Sequence, residues 1–339
     1  LLTAVNTGRR CFLGGVQVVG DINVPLRVPW RSYQTVGEAV ADLQGVRVEK
    51  TTPDIPHIVI GDTNGDHANV TFGVRATFNG WIGGVIPLGD PGRLSEQFEF
   101  TPAGVLAGAL AVAEAFQFVR GDHYLAGQRN VGLSLWQPES AMHWQEADPG
   151  PQVTYLPSRI WLIGLGHLGQ AYLWTLGLLP YVHSGEVQIV LQDYDTLVEA
   201  NDSTSLLTNL SLVGVKKTRA MAQWCERRGF RNVINERRFA ENFHVADDEP
   251  QLVLCGIDNG SDRGYLDRVG FKYVVDVGLG RGTQEYLALQ LHTLPASRAA
   301  HEIWNRQSDL STAVPALTAM PAYQSLAEQG MDECGLVTL

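Results

Sequence analysis

A glycine-rich turn between a predicted strand and a predicted helix limits the fold of this chain more than any other feature. The apolar segment Arg159–Ile163 predicts a buried strand, and residues 168–178 have the length and apolar content of a helix. The turn between them carries the spacing of a nucleotide-binding motif at Gly164, Gly166 and Gly169. The first glycine permits a tight turn, the second lets the backbone approach a phosphate, and the third allows close helix packing. A glycine-rich turn that binds no ligand is the alternative.

Strands and helices alternate regularly after this turn. Strands are predicted at residues 186–191, 232–235, 251–255, 273–276 and 285–294, and helices at 215–228 and 262–269. Such alternation is typical of a parallel, doubly wound sheet. The expected fold class is therefore α/β, with a mostly parallel, Rossmann-like sheet.

The first 150 residues have a different pattern. Short strands are predicted at 57–60, 70–74 and 81–86, and an alanine-rich buried helix at 102–116 with Thr101 as its N-cap. Residues 138–157 hold four prolines and few aliphatic residues, which favours a linker. We therefore expect two domains, a smaller α/β domain at 1–150 and a nucleotide-binding domain at 151–339.

Composition and charge exclude several classes of protein. Asp and Glu number 36 against 25 Lys and Arg, so the formal net charge is −11 and a nucleic acid is not expected as the main partner. Four widely spaced cysteines without a Cys-x-x-Cys pair predict neither a zinc site nor a disulfide framework. No apolar run reaches about 18 residues, and the nearest, at 101–119, contains Glu114 and Gln117. A cytoplasmic protein without a membrane span or signal peptide is expected.

Polar residues follow the later strands in a fixed order. Asp193 and Asp195 come after the second strand of the alternating region, where an acid can accept hydrogen bonds from a ribose. The other polar positions of the set are Asn201, Lys217 (with Lys216 as a less well-spaced alternative), Asp258, Asn259 and Arg263. Together with the glycine-rich turn, this set resembles the ThiF/MoeB/HesA superfamily, which includes the ubiquitin-activating enzymes. The resemblance covers roughly residues 158–295 and is nearest to members encoded in bacterial ubiquitin-like conjugation operons.

The resemblance implies a function for each matched residue. Enzymes of this superfamily adenylate the C-terminal carboxylate of a small protein, usually ending in Gly-Gly, and convert ATP to AMP and pyrophosphate. A carboxylate that attacks an anionic phosphate needs cations nearby, because negative charge develops on the phosphate. The implied roles are ribose binding for Asp193 and Asp195, phosphate binding for Asn201 and Lys217, and Mg²⁺ coordination for Asp258. Taken singly, Lys217 on a solvated helix face and Asp193 bonded to a turn are ordinary structural alternatives.

One position departs from the superfamily pattern. Its members usually carry Asn-x-x-Arg-Gln, with the arginine reaching the phosphates, whereas this chain has Thr204 and Ser205 at the last two positions. The positive charge is therefore lost or supplied from elsewhere. The candidates are Arg263, Arg281, Arg9, Arg10 and a second subunit. Alternatively, the protein binds a nucleotide but adenylates slowly or not at all.

Three of the four cysteines divide into core and tail positions, and Cys11 lies in an unassigned apolar segment at the start of the chain. Cys255 lies in an apolar strand and Cys225 on a helix, so both are expected in the core. Cys334 precedes a glycine where many superfamily members have a cysteine that forms a thioester or acyl disulfide with the activated carboxyl. A thiol exposed on the tail is the alternative. His167, inside the glycine-rich turn, either contacts phosphate or caps the helix.

The leading hypothesis is an ATP- and Mg²⁺-dependent activating enzyme. Its expected partners are a ubiquitin-like protein with a Gly-type C-terminus and a conjugating enzyme, which receives the activated protein as a thioester. The resemblance also implies a homodimer or pseudo-dimer, with residues 1–150 as an inactive adenylation half, and a role in antiphage defence. A nucleotide-binding pseudoenzyme or scaffold is one alternative, which the missing arginine favours. An NAD-dependent oxidoreductase is another, but it leaves Lys217 and Asp258 unexplained.

Overall fold

The computed structural model describes residues 1–28, 30, 33–63, 69–97, 99–280 and 288–305. The chain divides into two compact units. Unit 1 comprises Leu1–Leu156 and Leu178–Pro180, and unit 2 comprises Pro157–Gly177 and the chain from Tyr181 onward. Each unit is built around its own sheet.

Unit 1 contains a mixed sheet, three α-helices and a 3-10 helix at Pro138–Glu146 within its described residues. The elements in chain order are α1 (Leu2–Cys11), β1 (Gln17–Val18), α2 (Val36–Asp42), β2 (Val46–Arg47), β3 (His57–Ile60), β4 (Gly73–Asn79), β5 (Ile82–Pro87), α3 (Thr101–Arg120) and β6 (Val131–Ser134). β1 and β2 form a parallel pair. The larger sheet has the order β3-β4-β5-β6, in which β3 and β4 are parallel and the other two pairings are antiparallel.

Helix α3 packs on this sheet through small side chains. It comes so close to β5 that a Cβ at Gly83 would lie 2.2 Å from the carbonyl oxygen of Ala103. By length and composition, α3 is the one described helix that could cross a membrane. Its apolar surface is instead explained by burial, as predicted, because its alanines share a core with β4 and β5. That core consists of Phe72, Val74, Ala76, Val85, Ala107, Ala111 and Ala115.

Nearby residues explain where α3 begins and ends and how its core accommodates the acidic Glu114. Phe100, rather than the predicted Thr101, is the N-cap, and no side chain caps this end. The helix ends at Gly121, whose φ of 70° suits glycine. Glu114 is tolerated in the core because it accepts hydrogen bonds from Arg129 Nη2 at 2.7 Å and from the Gly127 N–H at 2.9 Å.

Unit 2 contains the predicted parallel sheet. Its elements are β7 (Arg159–Ile163), α4 (His167–Leu178), β8 (Gln188–Gln192), α5 (Asn201–Thr204), α6 (Lys217–Arg228), β9 (Arg231–Asn235), β10 (Leu252–Cys255), α7 (Gly260–Arg263), β11 (Tyr273–Leu279), β12 (Leu289–Leu294) and α8 (Ala300–Asn305). The order is β12-β11-β10-β7-β8-β9, and every pairing is parallel except that of β11 with β12. The predicted α/β fold class is confirmed.

Two predicted elements of unit 2 differ from the structure. The helix predicted at 262–269 is wrong, because α7 is a single turn that Asn259 begins as the N-cap. Gly264 follows immediately as the C-cap, and glycine disfavours the continuation of a helix. The predicted strand at 285–294 corresponds to β12, which begins at Leu289, and residues 285–287 lie outside the described part.

Candidate functional site

The strand order of unit 2 reverses between β7 and β10. The chain proceeds from β7 to β8 and β9 on one side, and then from β10 to β11 on the other. Doubly wound sheets bind ligands outside the carboxyl ends of their strands at such a switch point. Ile163, Gln192 and Cys255 are the last residues of β7, β8 and β10. The glycine-rich turn and the predicted acids therefore follow strands that end on one edge of the sheet.

The glycine-rich turn is packed against the chain that leaves β10. Gly164 has a φ of 81°, and a Cβ there would lie 2.8 Å from the carbonyl group of Gly256. A Cβ at Gly169 would lie 1.9 Å from the Gly164 carbonyl oxygen. A Cβ at Gly166, in contrast, would meet no described atom within 4 Å. Packing therefore requires the outer two glycines, whereas Gly166 borders open space that a phosphate can enter.

Helix α4 begins directly after this turn, at His167. The first N–H groups of a helix have no partner within it and favour an anion. Burial lowers the pKa of the half-buried His167, the negative charge of Asp258 opposes this shift, and the positive charge of Lys217 adds to it. A cation and a carboxylate that were predicted from distant parts of the sequence therefore both act on the start of α4.

Asp193 is a buried acid that fixes the glycine-rich turn. Its Oδ2 accepts a hydrogen bond from the Leu165 N–H at 2.7 Å, and its Oδ1 accepts one from the Asp195 N–H at 2.8 Å. The end of β8 is thereby fastened to the turn that follows β7. The predicted ribose ligand thus also has a structural role, because it holds the backbone on which a nucleotide would lie.

A short antiparallel contact places Lys217 beside Asp195. Thr196 and Lys216 form an isolated bridge, and the Lys217 N–H donates to the Asp195 carbonyl oxygen at 3.1 Å. The Lys217 Nζ then lies 2.9 Å from Asp195 Oδ2. The neighbouring Lys216 Nζ donates to the Tyr194 carbonyl oxygen at 2.5 Å. This geometry favours Lys217 over Lys216 as the cation of the site.

Asp258 is an exposed carboxylate in the loop between β10 and α7. The Oδ1 of the next residue, Asn259, accepts hydrogen bonds from the N–H groups of Ser261 and Asp262, at 2.9 and 3.4 Å. This cap fixes the residues after Asp258 and leaves its own carboxylate in the solvent.

A single carboxylate of this kind suits Mg²⁺ that arrives with a nucleotide. Protein-bound Mg²⁺ commonly uses one or two carboxylates, with water and substrate phosphates completing its shell. Within the described residues, no group of three or more His, Cys, Asp and Glu side chains could hold a metal by itself. Asp258 therefore fits a shared nucleotide–metal site better than a dedicated protein cage.

Arg263 is directed into the protein. Its Nε donates to the Ile257 carbonyl oxygen at 2.6 Å, and its Nη2 donates to the same oxygen. Its Nη1 lies 3.4 Å from Oδ2 of Asp276, a fully buried acid on β11. Burial raises the pKa of Asp276, and the charge of Arg263 opposes that shift. Arg263 thus supports the loop before Asp258 and is unsuited to replace the arginine expected at Thr204.

The segment around Thr204 is held by its own backbone. Thr204 Oγ1 donates to the Ala200 carbonyl oxygen at 3.0 Å, and Ser205 is buried. Asn201 is also buried, and its Oδ1 accepts a hydrogen bond from the Val198 N–H at 3.0 Å. Asn201 therefore shapes the loop that precedes α5, in addition to the phosphate contact that the sequence predicted.

The structure also describes two cysteines and two arginines that the sequence singled out. Cys225 and Cys255 are buried as predicted, and burial raises the pKa of both thiols. Arg9 and Arg10 belong to the last turn of α1 in unit 1. Arg281 and Cys334 lie outside the described residues.

Arg238, which lies three residues after β9, was not among the residues predicted from the sequence. Its Nη2 and Nε donate to Asp262 Oδ2 at 3.0 and 3.2 Å, and its guanidinium carbon is 6.0 Å from the centre of the Tyr194 ring. The pKa of Arg238 is raised, chiefly by Asp262, and the charge of Asp258 contributes to the shift. No motif marks this arginine, because only the folded path of the chain after β9 brings it to this edge of the sheet.

Comparisons with known proteins match both parts of the chain. The family described as BilD N-terminal domain matches residues 1–135, and the one described as BilD C-terminal domain matches residues 156–339. The chain belongs to the BilD family. A relative named bacterial E1-like protein BilD, from Collimonas sp. (strain OK412), is 43% identical over 340 residues, which span 100% of this chain and 73% of that protein. The predicted kinship with ubiquitin-activating-type proteins is confirmed, since E1 denotes that class.

Solved structures give a more distant likeness to this BilD-family chain. A structure described as TcdA (CsdL) is 18% identical, with 37% of this chain and 51% of that chain covered and a TM-score of 0.32. E. coli tRNA N6-threonylcarbamoyladenosine dehydratase, TcdA, in complex with ATP, is 20% identical, with 37% and 53% covered and a TM-score of 0.32. The chain therefore spans about half the length of these solved proteins.

Proposed function

We propose that this protein activates the C-terminus of a ubiquitin-like protein with ATP. One observation carries the proposal: a chain of contacts through Asp195 and Asp193 links Lys217 to the glycine-rich turn. Asp258 follows Gly256, which packs against Gly164 in the same turn, and Gly166 in that turn borders open space. A polyphosphate on the helix start would meet backbone N–H groups, a cation and a carboxylate suited to Mg²⁺. A dinucleotide oxidoreductase has no need of such a lysine and carboxylate. The E1-like name of the relative supports the same class of reaction.

In this proposal, a carboxylate oxygen of the ubiquitin-like protein attacks the α-phosphorus of ATP, and pyrophosphate leaves. Asp193 holds the turn under the nucleotide, and Lys217 stabilises the negative charge that develops on the phosphates. Asp258 would hold Mg²⁺, which when bound neutralises phosphate charge. The product is an acyl adenylate.

The second step is transfer of the acyl group to a thiol. We propose Cys334 as the thiol: its sulfur attacks the acyl carbon, the bond to the phosphate oxygen breaks, and AMP leaves. The thioester then passes to a conjugating enzyme. Cys225 and Cys255 are poor alternatives, since both are buried and burial raises the pKa of their thiols.

Gly166→Ala tests the nucleotide site without disturbing the fold. The added Cβ meets no described atom within 4 Å, so the variant should fold normally and bind ATP more weakly. Gly185→Ala is a matched control, because its Cβ also meets no described atom and Gly185 lies away from the glycine-rich turn. Titration calorimetry with ATP and Mg²⁺ measures the difference. Equal ATP affinity in both variants would contradict the proposed site.

Two further assays separate the alternative functions. Preference for NAD over ATP in competition binding would favour an oxidoreductase. ATP binding without ATP–pyrophosphate exchange, in the presence of a ubiquitin-like protein ending in Gly, would favour a pseudoenzyme or scaffold. The absence of a cation at Thr204 is the specific observation in favour of this second candidate.

The biological setting is also a proposal. We propose that the protein acts in the bacterial cytoplasm in antiphage defence, as a homodimer or as a pseudo-dimer in which unit 1 is an inactive half. Within the described residues of unit 1, no glycine-rich turn joins a strand to a helix, which suits a half without a nucleotide site. Plaque counts on cells that carry the wild type or Asp258→Ala test the role in defence. Light scattering of the purified protein measures its oligomeric state.

A further inference from the structure

Arg238 contacts segments that follow the strands on both sides of the central strand β7. It is bonded to Asp262, which belongs to the helix after β10, and it lies over the ring of Tyr194, which follows β8. In the sheet, β7 lies between β8 and β10. A side chain that contacts the segments on both sides of β7 must pass near the point where the glycine-rich turn begins.

Asp262 orients the guanidinium of Arg238 and leaves some of its N–H donors available. Arginine has five N–H donors in a planar fork, and Asp262 accepts from two of its nitrogen atoms, at 3.0 and 3.2 Å. The Arg238 side chain is 55% exposed, whereas that of Asp262 is 14% exposed. The Asp262 carboxylate therefore binds the Nε and Nη2 side of the guanidinium, and the opposite side remains accessible to an anion.

Most cations at this edge of the sheet are already engaged by the protein. Lys217 is paired with Asp195, Lys216 donates to the Tyr194 carbonyl oxygen, and Arg263 is directed towards the buried Asp276. A triphosphate would add negative charge beside the carboxylates Asp193, Asp195, Asp258 and Asp262, whereas Arg238 keeps N–H donors that Asp262 does not use. Charge-assisted hydrogen bonds from an arginine fork are well suited to phosphate oxygens.

We propose that Arg238 binds a phosphate of ATP while Asp262 fixes the orientation of its guanidinium. This role rests on the proposed function, and it supplies the cation that Thr204 does not. Tyr194 provides an aromatic surface on which the guanidinium packs. Arg238 is thus assigned as a binding residue of the nucleotide site, with Asp262 as its positioning residue.

The test compares the affinities of the full chain for ATP with Mg²⁺ and for adenosine, both measured by titration calorimetry. Arg238→Ala should weaken ATP binding roughly 10- to 100-fold, the loss typical of a hydrogen bond to a charged group. Adenosine has no phosphate, so its affinity should not change. Arg238→Lys keeps the charge without the fork and should give a smaller loss for ATP.

Arg219→Ala is the matched control. Arg219 is an exposed arginine of unit 2 that donates through Nε and Nη2 to a carboxylate, Glu236, in a similar arrangement. Its removal should leave the affinity for ATP unchanged. Unchanged ATP affinity in Arg238→Ala, or an equal loss of ATP and adenosine binding, would overturn the role of Arg238 alone. A wild-type protein that binds no ATP would overturn the proposed function as well.

Discussion

Arg263→Met should show that a buried ion pair supports the loop before Asp258. Methionine has a similar length but carries no charge and no N–H donors. The Ile257 carbonyl oxygen would lose both of its guanidinium donors, and Asp276 would lose the positive charge at 3.4 Å. Asp276 is fully buried, so solvent cannot replace that charge.

The expected loss follows from the burial of both partners. Removing one member of a buried pair costs about 3–5 kcal/mol, mainly because an uncompensated charge is left behind. The 3.4 Å separation is long for an ion pair, so we expect about 3 kcal/mol in the free energy of unfolding. The double variant Arg263→Met/Asp276→Leu removes the stranded charge and should recover most of that loss.

The loss should depend on pH in a defined direction. Burial already raises the pKa of Asp276, and removal of Arg263 raises it further. An acid whose folded pKa exceeds its unfolded value destabilises the fold as the pH rises from the unfolded value through the folded one. The deficit of Arg263→Met should therefore be smaller at pH 5 than at pH 8, and this difference should disappear in the double variant.

Urea unfolding, followed by tryptophan fluorescence at both pH values, measures these differences. Arg219→Met is the control, since its pair with Glu236 is exposed and should contribute less than about 1 kcal/mol. If Arg263→Met is as stable as Arg219→Met at pH 8, the buried pair does not hold the loop. If the double variant is no more stable than Arg263→Met, the uncompensated charge of Asp276 does not explain the loss.

The remaining predictions concern single residues of the site and of the tail. Gly169→Ala should markedly lower the melting temperature, because the added Cβ would lie 1.9 Å from a backbone oxygen; an unchanged melting curve would count against this packing. Lys217→Ala should cost roughly 2–4 kcal/mol of transition-state stabilisation in pyrophosphate exchange, and a larger loss in Lys216→Ala would reverse the assignment. Asp258→Ala should abolish Mg²⁺-dependent exchange, so normal exchange would exclude it as the metal ligand. Cys334→Ser should retain exchange but lose the thiol-sensitive adduct on a non-reducing gel; an adduct that persists would implicate another cysteine.

The parallel sheet of unit 2 was predictable because its signals are local. β7, β8 and β10 are short and largely apolar, α4 and α6 match helices predicted from the sequence, and the glycine spacing marks the first crossover. The end of α7 was not predictable from periodicity. Asn259 begins the helix as its N-cap, and Gly264 follows it directly after one turn.

The candidate site was predictable only where it follows motifs. Asp193, Lys217 and Asp258 occur in the order and spacing of the superfamily that the chain resembles, so the sequence could assign them to one site. Arg238 reaches the site through the chain that leaves β9, and its neighbours Asp262 and Tyr194 are far from it in sequence. Such long-range contacts depend on the strand order, which local patterns do not encode.

The packing of the glycine-rich turn distinguishes the glycines that the fold requires from the glycine that only a nucleotide would require. A Cβ at Gly164 or Gly169 would collide with backbone atoms, so selection for a stable fold alone is enough to keep both glycines. Gly166 has no such constraint from the described atoms. A descendant that kept this fold without a nucleotide could therefore accept a side chain at position 166, but not at 164 or 169.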